Sequence, residues 1–482
     1  MKKWLVLAAA AAALIVAACT TIDTTPPTVS IVVPVSGDTL AKGSIAIKAL
    51  ATDNKAVAKV EFYLDGSILG TDNVGGAGDT FRYTWADTAA QTAGSHTLAA
   101  KAYDNASTPN TTTSATVTIY IGGGSSTGET DHTEDITGGD STWYPSGNPH
   151  VVMNTIHINQ NGRLIVKPGC IVKFATDAGF AVGNQSAGEL DAVGTAESTI
   201  TFTSNNTTPN SGDWTGFDFY DQTRASTHLS YCDINYGCYP NWAAVILEGD
   251  QTIGIDHTTI HHSSKYGIEL NSAGAYITGF TGNTITACDS NPIFSYPGKL
   301  SMLQGGNTLT GNGKNAIFVY GGDVAETGTW LNQGVPYFLS DNVYVSSSSG
   351  AYLTIAKGTT VQCGTGVHIT VGNNLPGGLI ADSVTFTSSA TSPQKGDWYG
   401  IWFYPECTDA QCQLTRCNIG YGGGDIEGDI WLRDAKPNIT GCSIHDSKGW
   451  GVDCEGPEFP DPDSLLAHNT FANNDSGSVL HP

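Results

Sequence analysis

Apolar residues in the C-terminal part of this chain recur in short runs separated by turn residues. One phrase, a turn, a polar residue and then one aliphatic or aromatic residue, returns at spacings of 24 to 27 residues within each contiguous run. It occurs at Cys232-Asp233-Ile234, Thr258-Thr259-Ile260, Asn283-Thr284-Ile285, Asn307-Thr308-Leu309, Cys417-Asn418-Ile419, Cys442-Ser443-Ile444 and Asn469-Thr470-Phe471. Helical repeats would need longer amphipathic runs, so the pattern predicts stacked coils of strand and turn, none of which buries its apolar face alone.

This phrasing resembles the right-handed parallel β-helix proteins, the superfold of the pectate lyases. The resemblance implies an all-β solenoid over residues 143–482, with room for about 14 coils at ~4.8 Å per coil. Asn283, Asn307 and Asn469 are expected to stack as ladders at the turns between coils.

A longer similarity overlies the short repeat. Thr201-Phe202-Thr203-Ser204 and Gly212-Asp213-Trp214 return, offset by 184 residues, as Thr385-Phe386-Thr387-Ser388 and Gly396-Asp397-Trp398. This predicts two similar β-helix blocks in tandem. Residues alike in both copies, such as Asp213 and Asp397, are predicted to serve the fold.

Residues 25–121 have a different pattern, with several short alternating strands. Asp65-Gly66 between two strands is a strong signal for a two-residue hairpin. The segments Pro26-Pro27-Thr28-Val29, Val60-Glu61-Phe62-Tyr63-Leu64 and Gly94-Ser95-His96-Thr97-Leu98 resemble bacterial Ig-like domains, which implies a β-sandwich. Residues 122–142, rich in Gly, Ser, Thr and acidic residues, are predicted to be a flexible linker.

The N-terminus has the pattern of an export signal. Lys2 and Lys3 precede an apolar run over residues 4–18, which is too short to span a bilayer comfortably. With Val16-Ala17-Ala18-Cys19, residues 1–19 resemble a bacterial lipoprotein signal peptide. The resemblance implies a lipid anchor at Cys19 and a place in the cell envelope, at the surface of an outer membrane. An ordinary secretory signal cut near Ala18 is the alternative.

Composition narrows the choice of partners. Lys and Arg total 21 against 45 Asp and Glu, a net charge of −24. This field disfavours nucleic acid and would repel polyuronates, so a neutral extracellular polysaccharide is the expected partner. Ten cysteines besides Cys19 remain, and their pairing cannot be read from the sequence.

Strand alternation identifies an outward face, because apolar residues that point inward fix which neighbours point out. Asp218 and Glu269 face solvent in this register, and an aromatic column shares their face. Its predicted carbohydrate-binding residues are Phe294, Phe318, Tyr320, Trp402, Tyr404 and Trp431. An exposed apolar stripe marks a contact with some partner. Burial of these aromatic rings under a loop or against another domain is the alternative to carbohydrate binding.

Acidic residues follow the aromatics. Asp425, Glu427, Asp429 and Asp453 lie near glycine-rich turns and are candidate Ca²⁺ ligands, with a solvated acidic loop as the alternative. Arg433 is a weak candidate for a catalytic base. No nucleophile elbow, phosphate loop or zinc-type Cys/His spacing is present in the sequence.

These features predict a cell-surface lipoprotein that displays a β-helix for carbohydrate binding or adhesion, with no required cofactor. The alternative is an enzyme, a Ca²⁺-dependent polysaccharide lyase or a glycoside hydrolase. The fold supports this enzyme only by analogy.

The lipid anchor has a direct test. Cys19→Ala removes the sulfur that would carry the diacylglycerol, so the variant should leave the detergent phase in a phase-partitioning assay and be released or stall as a precursor. Partitioning equal to that of the wild type would contradict the lipobox.

Overall fold

The computed structural model describes residues 23–36, 39–40, 44–76, 79–86, 94–121, 130–238, 240, 242–425 and 427–482. The chain divides into two compact units, Met1–Ser126 and Thr127–Pro482. Cys19 and the predicted signal lie outside the described residues. Within those ranges, no helix is both long and apolar enough to cross a membrane.

The first unit is an Ig-like arrangement of two sheets, as the sequence predicts. One sheet contains the strands Thr28–Val33, Ile45–Thr52 and Thr80–Trp85. The other contains Thr39–Leu40, Val117–Ile121, Gly94–Asp104, Val57–Leu64 and Ser67–Asp72, with Thr111–Thr113 paired to Gly94–Asp104. Alternate residues of Ile45–Thr52 are buried, which is the period of two expected when one face of a strand covers a core.

The predicted hairpin forms at Asp65-Gly66. Both residues have positive φ, 48° and 79°, as a type I′ turn requires, and Gly adopts this conformation without a steric cost. The Asp65 carboxylate also accepts a hydrogen bond of 2.7 Å from the Thr97 amide, which ties the turn to the neighbouring strand.

The second unit is a parallel β-solenoid of about 14 turns. One sheet, here called the continuous sheet, runs through all of them. Its strands are Ile136–Thr137, Ile156–Asn159, Gly179–Val182, Gly216–Phe219, Ala243–Leu247, Tyr266–Leu270, Ile293–Ser295, Ile317–Val319, Tyr337–Leu339, Thr360–Cys363, Thr385–Ser388, Asn418–Gly420, Ser443–His445 and Thr470–Ala472.

Two further sheets complete the first half of the solenoid. One contains Thr130–His132, His150–Val152, Ile171–Phe174, Ile200–Ser204, Cys232–Asn235, Thr259–His261 and Thr284–Thr286. The other contains Asp140–Trp143, Gly162–Val166, Gly188–Val193, His228–Ser230, Thr252–Asp256 and Tyr276–Thr278.

Two different sheets complete the second half. One of them carries the candidate functional site described below and is here called the site sheet. Its strands are Gly322–Val324, Val343–Val345, His368–Val371, Gly400–Phe403, Gly428–Arg433, Trp450–Glu455 and Gly477–Leu480. The other contains Gly328–Trp330, Ala351–Ile355, Gly377–Asp382, Gln413–Thr415 and Asn438–Thr440. Short helices lie at Pro145–Gly147, Pro297–Met302, Asp409–Gln411 and Pro462–His468.

The solenoid begins earlier than the composition suggested. Thr130–His132 already pairs in parallel with His150–Val152, so the first coil starts within the predicted linker 122–142 and before Trp143. An end coil packs against the array on one side only and therefore has a more polar composition than an inner coil. For this reason the first coil resembled a linker in the sequence.

Inside the solenoid, apolar side chains form one continuous core. Two loops that match at the 184-residue offset have the same hydrogen bonds. Ser204 donates to the Asp213 carboxylate at 2.6 Å, and Ser388 donates to that of Asp397 at 2.5 Å. Both aspartates therefore stabilise turns, as predicted from their recurrence, whereas the tandem-block arrangement itself stays a prediction.

The cysteines from Cys170 onward are free and buried in this structure. The sulfurs of Cys407 and Cys412 lie 2.8 Å apart at the ends of a short insertion. Burial raises the pKa of the Cys170 thiol to about 12, and this thiol stays protonated at neutral pH.

The asparagines at the turns form the predicted ladder. Asn283 is buried, accepts a 3.0 Å hydrogen bond from the Thr258 amide and donates to the Ile255 carbonyl at 3.3 Å. Its own amide donates to the Asn307 side chain at 3.0 Å. Each asparagine thus joins consecutive coils through backbone groups that would otherwise be unpaired in the core.

Asn283→Ala should lower the free energy of unfolding of the solenoid by about 1–3 kcal/mol for each buried group left without a partner. Asn206→Ala, at an exposed loop position, is the matched control and should change it by less than ~0.5 kcal/mol. Chemical denaturation of the full chain measures both. Equal stability of the two variants would contradict a structural ladder.

Candidate functional site

The site sheet carries an outward column of side chains that parallel pairing holds in register. In chain order the column contains Asp323, Tyr344, Thr370, Trp402, Trp431, Asp453 and Leu480. The flanking residues Ile401, Phe403, Ile430 and Leu432 are fully buried inward. Strand alternation thus places Trp402 and Trp431 on the outer side of adjacent coils.

The expected exposure of this column is wrong for Trp431, which is only 8% exposed, while Trp402 is half-buried. The ring of Trp431 meets the rings of Trp402 and Tyr404 edge-on, with centroids 5.5 Å away in each case. Arg433 covers Trp431 further, since its guanidinium lies 6.0 Å from the ring centroid. Neighbouring side chains in the same and adjacent columns bury this tryptophan.

Trp402 stacks on the His368 ring at 4.0 Å, and the two planes are within 10° of parallel. The ring of Tyr399 is nearly parallel to that of Trp402, with a centroid distance of 6.2 Å. Burial lowers the pKa of His368 to about 4, so its imidazole is neutral at pH 7 and packs as an apolar ring. Together, these aromatic side chains are called the Trp402 cluster, and its members are Tyr344, His368, Tyr399, Trp402, Tyr404 and Trp431.

His368, Tyr399 and Tyr344 were not among the site residues predicted from the sequence. His368 and Thr370 alternate with the buried Ile369 and Val371. The strand alternation that identified Trp402 as outward-facing could therefore also have identified His368. Tyr399 comes directly before the strand Gly400–Phe403, where no periodicity applies.

Carboxylates border the Trp402 cluster. Asp453 follows Trp431 in the outward column, and Glu455 is the register partner of Arg433. Burial and the charges of Glu455 and Glu427 raise the pKa of Asp453 to about 6. Burial and the charges of Asp425 and Glu455 likewise raise the pKa of Glu427. This edge of the cluster therefore holds carboxyl groups that take up protons more readily than ordinary acids.

Several polar atoms of this face are buried without a hydrogen-bond partner in the protein. They are Trp402 Nε1, Trp431 Nε1, Glu427 Oε2, Asp453 Oδ1, His368 Nδ1 and Thr370 Oγ1. Such atoms are few in native proteins, because each one loses its bonds to water without compensation. Their concentration on one face makes this face the candidate functional site.

Arg433 is exposed and lies over the face, with its guanidinium 5.9 Å from the Tyr404 ring centroid. Here it provides a cation beside the aromatic rings and the carboxylates.

The four candidate Ca²⁺ ligands differ in burial and in their hydrogen-bond partners. Asp429 is fully buried, and its Oδ1 accepts a 2.7 Å hydrogen bond from the Gly422 amide inside a turn. Burial raises its pKa well above the ordinary value. Asp425 is exposed. Among the described residues, no three of Asp425, Glu427, Asp429 and Asp453 place carboxylate oxygens within 4.8 Å of one another.

The other predicted aromatics lie on a different sheet. Phe294 and Phe318 are register partners in the continuous sheet, and their rings stack at 5.1 Å with planes 14° apart. Tyr320 beside them is 51% exposed. Glu269, the register partner of Phe294, was expected to face solvent but is only 6% exposed. Burial and the charge of Glu248 raise its pKa to about 7.

The expectation that all six aromatics share one outer face is therefore wrong. Ile293–Ser295 pairs directly with Ile317–Val319 in the continuous sheet. By the 184-residue offset, Gly216–Phe219 corresponds to Gly400–Phe403, but the former lies in the continuous sheet and the latter in the site sheet. The coil thus shifts by one sheet at the middle of the solenoid, a change that no local pattern records.

A bacterial Ig domain model matches residues 27–100, in the first unit. Among solved structures, the fibronectin(III)-like modules of Clostridium thermocellum CbhA are 27% identical over 20% of this chain and 96% of theirs, with a TM-score of 0.16. No curated protein matches the chain. The chain is an all-β protein that joins a bacterial Ig-like domain to a parallel β-solenoid.

The raised pKa of Asp453 predicts a pH signature. The folded state binds this proton more tightly than the unfolded chain, so the contribution of Asp453 to stability is full below the ordinary carboxyl range and is lost as the pH rises through about 6. Asp453→Asn should therefore melt above the wild type at pH 7, and the difference should vanish near pH 4.

Asp323→Asn, at an exposed position of the same outward column, is the matched control and should show no such pH-dependent difference. Calorimetry of the full chain from pH 4 to 8 provides the comparison. A constant difference between Asp453→Asn and the wild type across this range would show that Asp453 titrates as an ordinary carboxyl group.

Proposed function

We propose that the Trp402 cluster binds an extracellular polysaccharide. A surface-type β-solenoid with an Ig-like domain is consistent with carbohydrate binding or adhesion. The observation that supports glycan binding at the Trp402 cluster is the row of aromatic rings on one face, together with N–H and carboxylate groups that have no hydrogen-bond partner in the protein.

Both halves of a sugar's chemistry find a counterpart here. The C–H faces of a pyranose ring pack on aromatic rings such as Trp402 and Tyr404. Its hydroxyl groups donate to the carboxylates at the edge of the cluster and accept from the exposed Arg433 guanidinium. Successive coils repeat at ~4.8 Å, so the cluster extends along the solenoid axis and suits a chain of sugars better than a single one.

The charge of the face selects among glycans. Glu427, Asp453 and Glu455 lie at one edge, and the whole chain has a net charge of −24. A polyuronate would meet repulsion there, whereas a neutral polysaccharide would not. A neutral glycan is therefore the proposed ligand, with no cofactor in its binding.

The anchor belongs to the same proposal. The lipobox-like sequence around Cys19 supports lipid attachment to a bacterial envelope, with display at the surface of an outer membrane. In that setting the protein would hold glycan, or a glycan-coated partner, at the cell surface.

A glycoside hydrolase is the second candidate, and one observation favours it. Glu427 and Asp453, both with raised pKa, lie beside the carboxylate of Glu455. Glycosidic bond cleavage requires two carboxyl groups, and the one that acts as the acid has a raised pKa. Lyase chemistry at Arg433 has less support, since its guanidinium packs against aromatic rings.

The binding face can be tested with one matched pair of variants. Trp402→Ala should weaken binding to a neutral glycan about two- to tenfold, because aromatic contacts of this kind are worth about 0.5–1.5 kcal/mol. Phe318→Ala removes an equally half-buried ring from the other aromatic patch and should leave binding unchanged. A glycan array followed by titration calorimetry measures both, with melting curves to confirm folding.

Three other outcomes have distinct meanings. Lost binding in Phe318→Ala but not in Trp402→Ala would move the ligand to the continuous sheet. Release of reducing ends by the wild type, abolished in Asp453→Asn, would identify a hydrolase. Absence of binding to every neutral glycan would overturn the proposal.

A further inference from the structure

Three aspartates meet at one end of the Ig-like unit. Asp23 precedes the first strand of the unit, Asp53 directly follows Ile45–Thr52, and Asp104 is the last residue of Gly94–Asp104. One carboxylate oxygen from each lies within 4.8 Å of the others. Segments far apart in the sequence thus bring three acids together at adjacent strand ends.

Local hydrogen bonds orient each carboxylate and occupy part of its capacity. Asp53 Oδ2 accepts from the amides of Lys55 and Ala56 at 2.8 and 3.1 Å. Asp23 Oδ1 accepts from the Thr25 amide at 3.1 Å. Because one oxygen of each group is fixed in this way, the direction of the other oxygen is fixed as well.

Asp104 is held most firmly. It is fully buried, and its Oδ1 accepts from the amides of Ala106 and Asn110 at 3.2 and 2.9 Å. The Asn110 side chain donates to Oδ2 at 2.7 Å and also reaches the Asp23 carbonyl at 3.0 Å. Although burial alone would raise it, these hydrogen bonds and the charge of Lys55 hold the pKa of Asp104 below its ordinary value.

The remaining oxygens have no partner. Asp23 Oδ2 and Asp53 Oδ1 are shielded from solvent and receive no hydrogen bond within the protein. Asp23 as a whole is only 8% exposed. A buried carboxylate oxygen that faces two other acids is unfavourable unless a positive charge joins them.

We propose that Asp23, Asp53 and Asp104 bind one Ca²⁺ ion. Bonds of 2.3–2.6 Å from Ca²⁺ to two ligands allow those oxygens to lie up to roughly 5 Å apart, so one ion can reach all three carboxylates. Mg²⁺ demands a strict octahedral geometry and gives up its waters reluctantly, so a site with carboxylate oxygens shielded from solvent favours Ca²⁺. The ion would tie the segment at Asp23 to both sheets of the unit.

The experiment uses the full chain, freed of divalent ions by chelation. Titration calorimetry with CaCl₂ should show one site for each chain, and the melting transition of the Ig-like unit should rise with Ca²⁺ concentration by mass action. MgCl₂ at the same concentrations should give a much smaller shift.

Asp53→Asn is the decisive variant. Asp53 is half-buried, and the asparagine that replaces it has the same shape and still forms hydrogen bonds. It should lose the calcium heat and the calcium-dependent shift. Without calcium it should melt at or above the wild type, since one of three like charges is gone. Asp79→Asn, at an exposed position of the same unit, should keep the full calcium response.

Any of three results would overturn the proposal. They are the absence of calcium heat in the wild type, an unchanged calcium response in Asp53→Asn, or an equal response to Mg²⁺. A calcium response lost in Glu427→Gln with Asp453→Asn, but retained in Asp53→Asn, would place the ion in the solenoid instead.

Discussion

The vertical stacking of coils is the constraint on which the solenoid depends. No single coil encloses an apolar core, so each strand is stable only when paired in parallel with the coils above and below. Parallel pairing without shift places residue over residue, as in the column from Asp323 to Leu480. Inward columns become continuous stacks of Ile, Val, Leu and Phe, and outward columns become continuous surface features.

Stacking of like side chains on successive coils stabilises aromatic columns, whereas it brings carboxylates of like charge together in acidic columns. Trp402 and Trp431 gain ring contacts from their neighbours, and Trp431 is buried by them although it points outward. Where the column continues to Asp453, the same proximity to Glu427 and Glu455 raises its pKa. The candidate site lies where the outward column changes from aromatic to acidic residues. It therefore combines ring faces with carboxyl groups that have buried oxygens without hydrogen-bond partners in the protein.

The two units collect acids by different means. In the solenoid, carboxylates near one another follow the coil repeat and spread along the axis, and Asp429 is diverted into a turn by the Gly422 amide. In the Ig-like unit, strand ends converge, and three aspartates separated by many residues point to one place. A compact set of oxygen ligands arises more readily from converging loops than from a ladder of fixed pitch.

The sequence by itself determined the all-β class, the Ig-like and solenoid units, the hairpin at Asp65-Gly66 and the asparagine ladder, because each rests on local periodicity or turn chemistry. It also identified Trp402 and Trp431 as outward neighbours through strand alternation. Only the tertiary structure decided that Phe294 and Phe318 lie on another sheet, that Trp431 is covered, and that Asp429 turns inward. Only the tertiary structure brought Asp23, Asp53 and Asp104 together. These outcomes depend on the shift of the coil between sheets and on contacts between distant segments, which leave no periodic signal in the chain.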